Sequence, residues 1–122
     1  MSKVLVVDDS KTIRAIAGMY LKKFNVDTLF AEDGFDALSL IIKEKPSLIF
    51  VDIVMPKIDG YQLCTMIKSN QGCKEIPVII LSSRDTVFDK AKGKISGCDG
   101  YLVKPFTQDE IIELTKKYVQ LN

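Results

Sequence analysis

The sequence predicts an α/β protein: one doubly wound, five-stranded parallel sheet in a single domain over residues 1–122. Three observations carry that expectation. Short apolar runs rich in β-branched residues recur along the chain, continuous rather than alternating, as strands buried on both faces read. Amphipathic helical periodicity fills the intervals, so strand and helix alternate as in βαβ units. And 122 residues, 47% hydrophobic and 27% charged, fit one compact core and are too apolar for disorder.

The elements follow in order. Residues 4–7 read as the first strand. Ser10 stands where an N-cap belongs, and Ile13, Ile16, Ala17, Tyr20, Leu21 and Phe24 then form one helical apolar stripe. Residues 26–31, interrupted by Asp27 and Thr28, read as an edge strand. A second helix is expected over 35–43, ended before Pro46. Residues 48–51 form the third strand, followed by a helix over 61–68 that turns Leu63, Met66 and Ile67 inward. Residues 78–81 are the fourth strand. A helix is expected over 85–95 despite the interruption by Gly93. Residues 101–103 are the fifth strand, and the last helix, after Thr107, presents Ile111, Leu114, Tyr118 and Val119.

Composition excludes several chemistries. Seventeen basic residues against sixteen acidic ones leave a formal charge of +1, which argues against a direct nucleic-acid surface. Histidine is absent, so Ser-His-Asp and Cys-His catalysis, His-ligated zinc and a histidine pH switch are all ruled out. Cys64, Cys73 and Cys98 are odd in number and lack C-x-x-C spacing, so they read as reduced thiols acting as small buried hydrophobes. The N-terminal apolar run spans four residues before carboxylates begin. It is too short for a signal peptide or for membrane insertion, and a cytoplasmic protein is expected.

In a parallel sheet, ligands bind beyond the carboxyl ends of the strands. Asp8 and Asp9 follow the first strand, Asp52 the third, Ser82 and Ser83 the fourth, and Lys104 and Pro105 the fifth. Three carboxylates, a hydroxyl and an ammonium therefore meet at one edge. Hard oxygen ligands of this kind suit Mg²⁺, and close carboxylates repel one another without a cation. A carboxylate can act as the nucleophile toward a phosphoryl group, with an ammonium and a hydroxyl neutralising the transferred charge. Taken singly, each residue has an ordinary role: Asp8 or Asp9 as a helix cap, Asp52 in a turn, Ser82 as a cap, Lys104 at the surface. Five together at the ends of four strands outweigh that reading.

The chain resembles the receiver domain of two-component response regulators, the family of the chemotaxis response regulator. The resemblance rests on Val4-Leu5-Val6-Val7-Asp8-Asp9-Ser10, on Phe50-Val51-Asp52-Ile53-Val54-Met55-Pro56 with Asp59-Gly60, on Val78-Ile79-Ile80-Leu81-Ser82-Ser83, and on Tyr101-Leu102-Val103-Lys104-Pro105-Phe106. It implies a flavodoxin-like (β/α)5 fold with strand order 2-1-3-4-5. It also implies that Asp52 is the phosphoacceptor, and that Asp8, Asp9, Asp52 and the Val54 backbone carbonyl hold Mg²⁺. Ser82 matches the switch hydroxyl, Lys104 the family's lysine, and Tyr101 the aromatic whose rotamer follows phosphorylation. The Lys104–Pro105 bond is typically cis in this family. The helix before the fifth strand, that strand and the last helix would form the readout face, made basic by Lys90, Lys92 and Lys94. Val54 and Arg84 would flank the route of attacking water.

A narrower resemblance lies in Asp59-Gly60-Tyr61-Gln62-Leu63-Cys64, Ile67-Lys68, Leu81-Ser82-Ser83-Arg84-Asp85 and Phe88-Asp89-Lys90-Ala91-Lys92-Gly93-Lys94. These stretches look like the stand-alone receivers of type IV pilus (twitching motility) chemosensory systems. The expected function is a stand-alone response regulator that takes a phosphoryl group from a histidine kinase onto Asp52 and switches binding to a downstream effector protein. It is expected to be a signalling module rather than an enzyme, its own chemistry limited to Mg²⁺-dependent self-phosphorylation and autodephosphorylation. With one helix after Phe106, no fused output domain is expected. A phosphorelay intermediate and a receiver fragment of a DNA-binding regulator are the alternatives. A small Mg²⁺-dependent hydrolase fits less well, because it typically needs a second carboxylate two residues beyond its nucleophile, where this chain has Val54.

Overall fold

Valine, leucine and isoleucine dominate the three central strands and leave them almost no solvent-facing position. In the computed structural model, which describes residues 3–83, 91 and 96–119, these strands are β1 (Lys3–Val7), β3 (Leu48–Asp52) and β4 (Val78–Ser82). β2 (Asp27–Ala31) and β5 (Gly100–Val103) complete the sheet as its edges. All pairings are parallel and the order is β2-β1-β3-β4-β5. The doubly wound, five-stranded parallel sheet and its strand order stand as expected.

Strand alternation sends side chains to two separate cores. Leu5, Val7, Ile49, Val51 and Ile80 pack beneath α2 (Gly34–Glu44) and α3 (Gly60–Lys68). Val4, Val6, Phe50, Ile79 and Leu81 pack beneath α1 (Lys11–Lys22) and α4 (Gln108–Tyr118). Burying a side chain of this size contributes about 1.5–3 kcal/mol, so the sheet is a rigid base for what stands at its ends. Among the described residues, no helix is long and apolar enough to cross a membrane.

Each helix with a described start begins on a side-chain cap. Ser10 Oγ accepts from Ile13 N at 3.3 Å, and Asp33 Oδ1 from Asp36 N at 2.9 Å. Asp59 with Gln62, and Thr107 with Glu110, close reciprocal capping boxes. α2 stops where Lys45 turns left-handed at φ 45°, one residue before Pro46.

Several expectations need correcting in detail. The pairing ladder takes in Lys3, Asp52, Ser82 and Gly100, each one residue beyond its apolar run, because backbone pairing requires no apolar side chain. Met66 does not face inward: it is 42% exposed, and Cys64 occupies the buried position instead. In α4, Ile112 and Thr115 are buried beside Ile111, and the Thr115 hydroxyl donates to Ile111 O at 2.7 Å. Leu114 and Tyr118 pack only partly buried. Cys64 and Cys73 are buried and Cys98 half-buried, all as free thiols. The helix expected over 85–95, with Arg84, Lys90, Lys92 and Lys94, lies outside the described residues.

Candidate functional site

The order β2-β1-β3 places the chain reversal between β1 and β3, and a crevice opens beyond their carboxyl ends. Asp8 leaves β1 there. Its amide still donates to Ala31 O at 3.1 Å, and its Oδ1 accepts from Ser10 N at 2.9 Å. The carboxylate is thus buried yet held at the sheet edge, and Ser10 is released to cap α1. Asp9, the next residue, is exposed.

Asp52 is the last residue of β3, with its side chain 7% exposed. Behind it the chain returns closely: Gly60 N donates to Ile53 O at 2.9 Å. A Cβ on Gly60 would press against the Asp52 carbonyl oxygen, so only glycine lets α3 begin this near the site.

Lys104 leaves β5 through a cis peptide to Pro105, as the resemblance implies. Its amide donates to Ser82 O at 2.7 Å, tying the ends of β4 and β5 together. Its ammonium donates to Asp52 Oδ1 at 3.0 Å and to Asp8 Oδ2 at 3.2 Å. With 16% of its side chain exposed, Lys104 spans the crevice as a bridge between two carboxylates.

One ligand atom from each of Asp8, Asp9 and Asp52 lies within 4.8 Å of the others. Three hard oxygens at that spacing fit a divalent cation such as Mg²⁺. Ser82 is buried at the end of β4, one residue past Leu81, which pairs with Asp52 in the ladder. Tyr101 lies in β5. It pairs with Ile80 across β4–β5 and packs, half-buried, against the core under α2 and α3. Val54 is 64% exposed, and its backbone amide hydrogen-bonds the Asp52 carboxylate.

The electrostatics are those of a site short of positive charge. Burial pushes the Asp52 carboxyl above its ordinary range, and the neighbouring Asp8 charge pushes it further. The bond from Lys104 and the Val54 amide pull the other way and do not win. For Lys104, burial disfavours the ammonium, but the bond to Asp52 and the charges of Asp52 and Asp8 outweigh it, so its pKa is raised.

Two contributors were not among the expected site residues. Arg14 Nη1 donates to Asp8 O at 2.7 Å, with Nη2 3.8 Å from Glu32 Oε1. The available signal was its position: a cation in the first turns of a helix opposes the helix dipole unless something holds it there. Gly60 is the other, and its signal was a glycine placed directly after a capping aspartate.

Comparison with known proteins agrees with this geometry. The family model described as the response regulator receiver domain matches residues 4–116. The chain is 55% identical over 117 residues to Protein PilG of Pseudomonas aeruginosa strain PAO1, which covers 96% of this chain and 87% of that protein. Among solved structures, the Vibrio cholerae chemotaxis protein CheY4 gives a TM-score of 0.92 at 29% identity, over 98% of this chain and 99% of that one. The receiver domain of Francisella response regulator 1452 gives 0.87 at 39% identity, over 97% of each.

Proposed function

The chain belongs to the response regulator receiver domain family, and from that premise we propose that it is a receiver phosphorylated on Asp52. The phosphodonor is a histidine kinase, and the output is a changed affinity for a downstream effector protein. The observation that carries this reading is the Lys104 ammonium bridging Asp52 and Asp8 beside the exposed Asp9. A buried carboxylate at a strand end, with a cation in contact and metal-type oxygens around it, suits phosphoryl transfer.

In the proposed reaction an Asp52 carboxylate oxygen forms a P–O bond to the incoming phosphorus. The P–N bond to the kinase histidine breaks, and its electron pair returns to the imidazole. Asp8, Asp9, Asp52 and the Val54 carbonyl would hold Mg²⁺, which when bound supplies charge neutralisation for the transferring group. Lys104 gives up Asp52 Oδ1 and pairs with a phosphoryl oxygen, and the Ser82 hydroxyl donates to another. The phosphoryl group brings about −1.5 to −2 charge. Drawing Ser82 inward makes room for Tyr101 to change rotamer, which biases an existing equilibrium.

The resemblance to pilus chemosensory receivers, with 55% identity to Protein PilG over 117 residues, supports a role in twitching motility, with the protein acting in the cytoplasm. Incubation with a small phosphodonor and Mg²⁺, followed by intact mass and peptide mapping, tests the central step. A phosphoryl adduct on the Asp52 peptide, absent in Asp52→Asn, is expected. Rapid multiple turnover without an adduct would overturn the reading in favour of a hydrolase. Transfer of the group from Asp52 to a second histidine protein would move the assignment to a phosphorelay intermediate.

A further inference from the structure

The outward side of α2 does not read like a solvated helix face. Gly34, Ala37 and Ile41 are its buried positions. On the other side Phe35 is 53% and Ile42 62% exposed, two of the largest apolar exposures in the described residues. They are seven residues apart, so they share one stripe about 10 Å long. Leu38, half-buried, lies between them on that stripe, and exposed Ser39 beside it is small enough for close approach. Isolated exposed apolar residues are ordinary; two on one stripe of one helix form a narrow apolar strip.

The charges beside the stripe indicate what covers it. Asp36 lies in the first turn and Lys43 in the last, each next to an exposed apolar residue, and with the capping Asp33 the first-turn end stays net negative despite Lys57 over the Phe35 ring. Neither Asp36 nor Lys43 is in an ion pair among the described residues. A partner carrying one sign of charge would be attracted at one end and repelled at the other. A second α2 lying antiparallel across a two-fold axis near Ser39 is attracted at both. Phe35 and Asp36 of one copy then meet Ile42 and Lys43 of the other, twice over, as an isologous contact requires. The two helix dipoles also oppose, which favours the antiparallel arrangement.

We propose that the α2 face of this chain pairs with the α2 face of a second copy, antiparallel about Ser39, as a weak two-fold dimer. A single helix pair is far smaller than a standard stable interface, so the dimer forms reversibly at high protein concentration. The face is also linked to the acceptor site. Ile58, in the loop that leaves Asp52, sits where a Cβ on Gly34 would be, and the Lys57 ammonium lies 5.6 Å from the Phe35 ring centre. The loop that follows the proposed phosphoacceptor therefore packs on the N-terminal end of the proposed interface.

Sedimentation equilibrium of the full chain, from tens to hundreds of micromolar, tests this. The wild type is expected to dimerise, and Ile42→Glu to remain monomeric throughout. Lys43→Glu alone should weaken the dimer at least tenfold, and the charge-swapped Asp36→Lys/Lys43→Glu double variant should restore it to within a few-fold. These positions are exposed, so the variants should keep the wild-type circular dichroism spectrum. An independent measurement uses Ser39→Cys with a short bismaleimide, which should cross-link two copies faster than Lys11→Cys on α1. A wild type that is monomeric at every concentration would overturn the proposal and leave the stripe to a different protein. So would a dimer that survives Ile42→Glu, or a double variant no tighter than Lys43→Glu.

Discussion

Asp52→Asn should make the metal-free protein more stable, not less. The side chain is 7% exposed, and it shares one ammonium, Lys104, with a second buried carboxylate, Asp8. Burial and Asp8 together raise the Asp52 pKa more than Lys104 and the Val54 amide lower it. A carboxyl whose folded-state pKa is raised favours folding while protonated. That contribution is fully present below the unfolded value, near 3.8, and is lost as pH rises through the folded value. At neutral pH the wild type thus carries a charge its site disfavours. Asparagine keeps the shape and a hydrogen-bond acceptor for Lys104 without that charge, and Lys104 keeps Asp8. A gain of about 1 kcal/mol is expected, the scale usual for relieving a strained functional site, or about 4 °C in Tm for a domain this size. The gap should shrink toward zero near pH 4 and open as pH rises. Magnesium at ten times its Kd should stabilise the wild type by about 1.4 kcal/mol, and the variant by less, because one of three carboxylates is gone. Thermal melts of both proteins in EDTA and in Mg²⁺, across pH 4 to 8, read all of this. A variant less stable than wild type in EDTA at neutral pH would refute the reasoning, since Lys104 would then be stabilising the ionised Asp52 outright.

Three further outcomes are expected. Gly60→Ala should destabilise by about 1–3 kcal/mol in denaturant titration, because its methyl meets the Asp52 backbone and α3 or the loop must shift; an unchanged midpoint would mean the approach is looser than it looks. Burial, with Cys98 nearby, pushes the Cys64 thiol up to about 12, so about one part in 10⁴ is thiolate at pH 8. Its labelling by a thiol reagent should wait for unfolding, and fast labelling in the native state would count against this burial. Lys104→Ala should still gain a phosphoryl group at Asp52 while losing the phosphorylation-dependent NMR shifts around Tyr101; normal switching by that variant would remove Lys104 from the mechanism.

The fold was legible because its strands are buried on both faces, and continuous runs such as 48–51 and 78–81 have no other comfortable home. The ends of elements were less legible. Asp52 and Ser82 extend their strands through backbone pairing, which leaves no mark in side-chain hydrophobicity. Met66 misled because helical spacing alone cannot separate two adjacent apolar residues near the edge of a buried arc; the neighbouring Cys64 is smaller and fits under the sheet. The carboxylates and Lys104 were legible as strand-end residues, since parallel pairing forces those ends together. Arg14 was not, because its contact is to a carbonyl six residues back, which depends on the turn that Asp8 and Ser10 make. Gly60 stands in the sequence only as a glycine after a capping aspartate. Its cause, contact with the Asp52 carbonyl, exists only once α3 has folded back over β3.

The site's charges also constrain how a signal could leave it. Three carboxylates against one bridging ammonium give a formal charge of minus two, and a phosphoryl dianion adds to it. In the proposed function Lys104 must therefore trade Asp52 for phosphoryl oxygens, and that trade begins a motion. It cannot be passed on by sliding strands. Every residue of β4 is buried and β5 is in register with it from Ile79–Gly100 to Ser82–Val103, so a shift would disturb a close-packed core. What can move is what stands at the strand ends. Lys104 N is bonded to Ser82 O, so the lysine and the hydroxyl meant to follow the phosphoryl group share one backbone link. Tyr101, three residues before Lys104, is half-buried against the core, and in the proposed function it is the side chain that follows them. A rigid sheet with one cation shared between two acids thus favours a switch made of side-chain exchanges, small in amplitude and confined to the β4–β5 edge.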